Sequence, residues 1–109
     1  MTAGIERVLD ALGDPSRRAV FKRIRGGKRS VREIAEGLDV SRPAVSQHLK
    51  VLKAARLVVV RIEGTRRFYG VDPHGIEDLR RWLGGFWRDT LVAFKKAAER
   101  EAAEGKEGR

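Results

Sequence analysis

Cysteine is absent from this 109-residue chain. Disulfides, thiolate metal sites and thiol redox sensing are thereby excluded. Asparagine is absent too, and Gln47 is the sole glutamine, while Arg and Glu abound; the bias fits a GC-rich genome or a warm habitat. No apolar run reaches transmembrane length and no opening stretch resembles a signal peptide, so the expected location is the cytoplasm, with no membrane partner. Histidine occurs twice, as His48 and His74, and the carboxylates are scattered without recognisable catalytic spacing. No enzyme constellation and no cofactor site are expected.

What is abundant is positive charge, and its placement is informative. The net charge is +9, yet residues 15–70 hold fifteen Lys and Arg against four acids, a local surplus of +11. Residues 1–14 carry −2 and residues 71–109 balance at zero. A confined cationic surplus attracts polyanions through counterion release. No segment couples it to an exposed apolar helix face of the membrane-surface type, so nucleic acid is the expected partner.

At the centre of this surplus lies SRPAVSQHLKVLKAAR, residues 41–56. Ser41 can cap a helix N-terminus, and Pro43 is tolerated in the first turn, where its missing N–H has no intrahelical partner. Val45, Leu49 and Leu52 recur at helical spacing as an inward stripe. Arg42, Ser46, Gln47, Lys50 and Lys53 fall on the other faces, a short, polar, cationic set suited to a DNA major groove. His48 lies between the two, where it can fill a helix crossing or donate to a phosphate.

The flanking segments support this helix. Residues 3–12 form a short amphipathic helix presenting Ile5, Val8, Leu9 and Leu12. Asp14-Pro15 caps a second helix, which Gly26-Gly27 ends. Ser30 with Glu33 makes a capping box for a brief third helix, and a tight turn at residues 38–41 leads into the fourth. Asp39 is the residue in that turn best able to adopt a left-handed backbone. The whole pattern, I-A-x-x-L-D-V-S-x-x-A-V-S-x-x-L, is a helix-turn-helix signature over residues 30–56. Residues 57–71 then switch to β-branched alternation around Gly64-Thr65, a hairpin or wing with Arg66 and Arg67 at its tip, placed to reach phosphates or a minor groove.

Asp72-Pro73 opens a last helix, expected over residues 73–103. Leu79, Trp82, Leu83, Phe86, Trp87, Leu91, Val92 and Phe94 cover more than one of its faces. That exceeds what a small domain can bury, so a second copy of the chain is expected there. Gly84-Gly85 would let two backbones approach, or mark a kink. Residues 104–109 are expected to be a disordered tail. The fold class is mostly α with a small β-hairpin, a dimeric winged helix-turn-helix of order α-α-α-α-β-β-α, a single domain over residues 1–103.

Residues 12–17 (LGDPSR), the stretch SRPAVSQHLKVLKAARLV and the wing EGTRRFY together resemble the ArsR family of bacterial and archaeal winged helix-turn-helix repressors, over roughly residues 5–95. The resemblance implies a homodimer formed by the first helix, through Ile5, Val8 and Leu9, and the last helix, with each fourth helix in a major groove, and release of DNA on effector binding. The family's metal ligands are missing. Its cysteine pair would fall at Ser30 and Arg32, and the site that opens with Asp72 and His74 would continue at Gly85 and Arg88, which are not transition-metal ligands. No metal is expected, and the effector is unknown. A sequence-specific repressor at an inverted-repeat operator is the leading reading, with Ser41, Arg42, Ser46, Gln47, Lys50, Lys53, Arg66 and Arg67 as DNA contacts. A nonspecific architectural DNA or RNA binder is the alternative.

Overall fold

The computed structural model describes residues 2–107. Its elements are α1 (Thr2–Gly13), α2 (Pro15–Ile24), α3 (Val31–Glu36), α4 (Arg42–Ala54), β1 (Val58–Glu63), β2 (Arg66–Val71) and α5 (Pro73–Glu107). Packing divides into two units that part between Leu79 and Arg80.

In the first unit the helix starts follow from their caps. The Asp14 carboxylate accepts from the N–H groups of Ser16 (2.8 Å) and Arg17 (3.1 Å), and Pro15 occupies the first turn of α2. Ser30 Oγ accepts from Glu33 N–H while Glu33 Oε1 accepts from Ser30 N–H, the reciprocal capping box that lets the six-residue α3 exist. The C-terminal carbonyls of α1 are covered by the next helix: Arg17 Nε donates to Ala11 O and Arg18 Nη1 to Leu12 O, each at 2.7 Å. Two cations counted in the basic surplus thus close the α1–α2 corner.

The core is built from one face of each helix. Val8 of α1, Val20 and Ile24 of α2, Ile34 of α3 and Val45, Leu49 and Leu52 of α4 are fully enclosed, together with Leu57 and Val58 at the hairpin entry. Each such side chain contributes about 1.5–3 kcal/mol by leaving water. Val8, expected at a dimer interface, has no exposed surface and belongs to this core. Ile5 and Leu79 also lean on it, half-buried, whereas Leu9 is exposed.

The turn between α3 and α4 differs from expectation at Asp39. Arg56 alone among the described non-glycine residues has a positive φ, so Asp39 is not left-handed. Gly37 ends α3 at φ −89°, and a Cβ there would overlap the Arg23 guanidinium, whose Nη2 donates to Glu33 O at 2.9 Å. The left-handed residue is instead Arg56, at φ 60°, just past α4. Its N–H donates to Lys53 O, and the Leu57 N–H donates to Leu52 O, both at 3.0 Å. This is a Schellman cap sealed by the buried Leu52 and Leu57 side chains. The start of α5 docks on that cap: Gly75 N–H donates to Arg56 O at 2.7 Å and Asp72 N–H to Leu57 O at 2.9 Å.

β1 and β2 pair antiparallel, Val58 opposite Val71 through Glu63 opposite Arg66, around Gly64-Thr65. Arg29 pairs with Tyr69 through two backbone bonds, Arg29 N–H to Tyr69 O (3.0 Å) and Tyr69 N–H to Arg29 O (2.8 Å), pinning the α2–α3 connection to the outer edge of β2.

In the second unit the described residues form helix alone. The helix runs four residues beyond the expected end at residue 103, through Glu107, into the stretch expected to be disordered. Glu104, Lys106 and Glu107 are good helix formers and carry the helix past Gly105, which costs about 1 kcal/mol relative to alanine; residues 108–109 lie outside the described residues. The helix is continuous through Gly84-Gly85, and a Cβ at either would meet only the Arg88 guanidinium, at 3.6 and 3.8 Å. Trp82 and Phe86 stack with ring centroids 5.8 Å apart.

Candidate nucleic-acid interface

α4 begins where Ser41 Oγ accepts from Ala44 N–H at 3.3 Å, with Pro43 in the first turn. Because Val45, Leu49 and Leu52 are committed to the core, helical geometry forces the intervening side chains outward. Arg42, Ser46, Gln47, Lys50 and Lys53 are all exposed, and the Ser41 side chain is spent on the cap. His48 is half-buried. It is one of the groups acting on Asp14, whose carboxyl is held below its ordinary 3.8 first by the Arg17 backbone N–H and, more weakly, by the Ser16 N–H and the Arg17 and His48 charges.

The hairpin register separates the two wing arginines. Side chains alternate across a strand, so Arg67, Tyr69 and their partners Ile62 and Val60 share one face, while Arg66, Phe68 and their partners Glu63 and Arg61 share the other. Arg67 and Tyr69 face α4. With Ser46, Lys50 and Lys53 they line a cleft of about 290 Å³ between α4 and the wing, floored by Leu49 and Val60. Arg66 lies instead over the Phe68 ring, 4.9 Å from its centroid, on the far face. The structure thus gathers Ser46, Lys50, Lys53 and Arg67, places Arg42 and Gln47 exposed on α4 outside the cleft lining, and sends Arg66 away.

A helix with side chains is about 10–12 Å across, matching a major groove about 12 Å wide. The cleft brings three cations, Lys50, Lys53 and Arg67, to one side of α4.

At the head of α5, Asp72 Oδ1 accepts from the His74 backbone N–H (3.0 Å) and lies 2.7 Å from His74 Nδ1. Burial raises the Asp72 pKa, but the His74 N–H and ring outweigh it, and the net shift is downward from 3.8. The pair is thus engaged in a helix cap. Among the described residues no three His, Cys, Asp or Glu side chains gather as a metal set, and no helix is long and apolar enough to cross a membrane.

Sequence reasoning missed the Arg29–Tyr69 bridge, which leaves no signal beyond a single residue pair, and the Arg56 turn, where Arg stands in a position that favours glycine.

A helix-turn-helix domain family matches residues 12–61. The HTH-type transcriptional regulator Rv2034 of Mycobacterium tuberculosis is 49% identical over 88% of this chain and 90% of its own length. The transcriptional repressor SdpR of Bacillus subtilis is 29% identical over 75% of this chain and 91% of its own. Among solved structures, the homodimeric winged helix-turn-helix DNA-binding domain of a possible ArsR-family regulator from Mycobacterium bovis superposes with a TM-score of 0.65 at 27% identity, over 83% of each chain. With the helix-turn-helix, the hairpin wing and a relative of this closeness along nearly its whole length, the chain belongs to the ArsR family of winged helix-turn-helix transcriptional regulators.

Proposed function

We propose that the protein acts in the cytoplasm as a homodimeric, sequence-specific repressor that binds an inverted-repeat operator. The observation that carries this is the convergence of Lys50, Lys53 and Arg67, from two separate elements, on a cleft that flanks the outward face of α4. In this reading α4 enters the major groove. Gln47 reads a base, since its carboxamide can pair bidentately with adenine for about 1–3 kcal/mol of discrimination. Ser46 and Arg42 contact bases or phosphates at the groove edge, and Lys50, Lys53 and Arg67 hold the adjoining backbone.

The second copy covers the stripe formed by Trp82, Leu83, Phe86, Trp87, Leu91 and Phe94, which sweeps about half the helix circumference at 3.6 residues per turn. Phe86 and Trp87 are each 61% exposed and Phe94 is 72% exposed. A contiguous aromatic stripe of this kind marks an interaction surface. Repression follows from occupying an operator that the transcription machinery must cross.

The test is a nuclease footprint on upstream DNA of the source genome at near-physiological salt. Protection confined to one palindromic site, with half-sites about one helical turn apart, supports the reading. Uniform protection that grows with protein concentration contradicts it and leaves an architectural binder. Gln47→Ala should flatten the affinity ranking among operator base variants; an unchanged ranking removes Gln47 as the reader.

A further inference from the structure

The basic surplus is larger than the α4–wing cleft requires. Arg17, Arg18 and Arg23 are bound to backbone carbonyls, and Arg32 pairs with Glu36. Of the other cations, Arg25, Lys28 and Arg61 converge on a second cleft, of about 250 Å³, on the face of the hairpin opposite Arg67 and Tyr69. Arg25 comes from the end of α2, Lys28 from the glycine turn after it and Arg61 from the middle of β1. Three cations from three segments around one hollow repel one another unless an anion sits among them. The acid positioned to relieve them is Glu63, which reaches Lys28 at a long 3.4 Å, with both side chains about half exposed. Such a pair is worth little and is easily exchanged for another anion.

The hollow is kept open by backbone choices. Gly70 floors it, and a Cβ there would press to 3.3 Å on Lys28 Cγ. Gly27, at φ 148°, bends the turn in a conformation that side-chain-bearing residues rarely adopt. Its walls are not uniformly polar: Val59 is half exposed and the Phe68 ring lines the cleft, with the Arg66 guanidinium over that ring as a fourth positive charge. A duplex backbone gains nothing from an apolar wall, whereas a small amphipathic anion does. The volume lies just below the range of about 300–1,000 Å³ typical of sites for drug-sized ligands.

We propose that this cleft between the α2–α3 turn and the outer face of the wing binds a small organic anion, a carboxylate or phosphate monoester carried on a compact apolar body. The anionic group lies among Arg25, Lys28 and Arg61, and the apolar body lies against Val59 and Phe68. The ligand thereby bridges the turn and the hairpin.

The probe is phenyl phosphate, titrated into the full chain and followed by the amide resonances, with inorganic phosphate at equal ionic strength as the comparison. The amides of residues 25–28, 59–61 and 68–70 should shift together along one saturating curve. Inorganic phosphate should bind at least about fivefold more weakly, because it lacks the apolar contact. Combining Lys28→Gln with Arg61→Gln should weaken phenyl phosphate by roughly tenfold, the loss of two charge-assisted bonds at an exposed site. Should the double variant misfold, Arg61→Gln alone serves, since Arg61 is exposed. Equal binding of the two probes, or shifts spread equally over Lys50, Lys53 and Arg67, would reduce the cleft to part of the general charge field and overturn the proposal. So would the lack of any saturable shift at millimolar phenyl phosphate. No DNA enters the experiment, so its outcome is independent of the operator reading.

Discussion

Arg56 holds a left-handed backbone, φ 60°, in the cap that joins α4 to the wing. For an L-residue this conformation costs about 1–2 kcal/mol, because Cβ approaches the following carbonyl oxygen. Glycine removes that cost but returns roughly 0.5–1 kcal/mol through its greater freedom in the unfolded chain. Arg56→Gly should therefore stabilise the fold by about 1 kcal/mol, or raise Tm by about 4–8 °C for a domain of this size. The cap itself uses only backbone groups, the Lys53 and Leu52 carbonyls and the Arg56 and Leu57 amides, so the substitution keeps every bond. Arg56→Ala is the control, since it removes the same charge but keeps the Cβ, and should gain nothing. Gly75→Ala tests the docked side of the joint: its Cβ would fall 2.6 Å from Arg56 O and 2.9 Å from Ala55 O, both backbone atoms, and it should lose at least about 1 kcal/mol. Urea unfolding followed by circular dichroism reads all three. A midpoint for Arg56→Gly no higher than that for Arg56→Ala would refute the strain reasoning.

Three further expectations follow from the geometry. Arg67→Ala should reduce the slope of log K against log salt by about one unit, one phosphate contact, and Arg66→Ala should leave it unchanged, as measured by anisotropy on an operator duplex; equal losses would contradict the two-faced wing. Phe86→Glu with Trp87→Glu, both on the exposed stripe, should yield a monomer in sedimentation equilibrium, and a persisting dimer would place the interface elsewhere. Asp14, Glu33 and Asp72 are held below their ordinary values of 3.8, 4.5 and 3.8, so their stabilisation is complete above those values and disappears as pH falls through the lowered folded-state ones. Asp14→Asn still caps α2 but cannot titrate, and it should make the acid loss in urea midpoint shallower; an unchanged profile would exclude Asp14 as a contributor.

Most of the fold was legible because its signals are local. Asp14-Pro15, Ser30 with Glu33, and Ser41 with Pro43 mark three helix starts by side-chain chemistry alone, and the change from helical to alternating periodicity after Arg56 marks the hairpin. Long-range consequences were not legible. The helical pattern of residues 3–12 marks Val8 as apolar but does not tell whether it meets its own core or a second copy, and it meets its own core. Arg66 and Arg67 looked equivalent at a turn, and only the pairing register, Glu63 with Arg66 and Ile62 with Arg67, assigns them to opposite faces. Arg56 conflicts with local preference, and the conflict is tolerated because the buried Leu52 and Leu57 and the docked Gly75 fix the turn around it. The second basic cleft draws its cations from three segments, which no spacing rule connects.

The most direct test of the account is selection of bound sequences from random duplex DNA by the purified protein at near-physiological salt. Enrichment of one inverted repeat, lost when Gln47→Ala is combined with Lys50→Ala, is the predicted result. Tight binding at low salt with no enriched motif would contradict it, leaving the +11 field as the whole of the interaction.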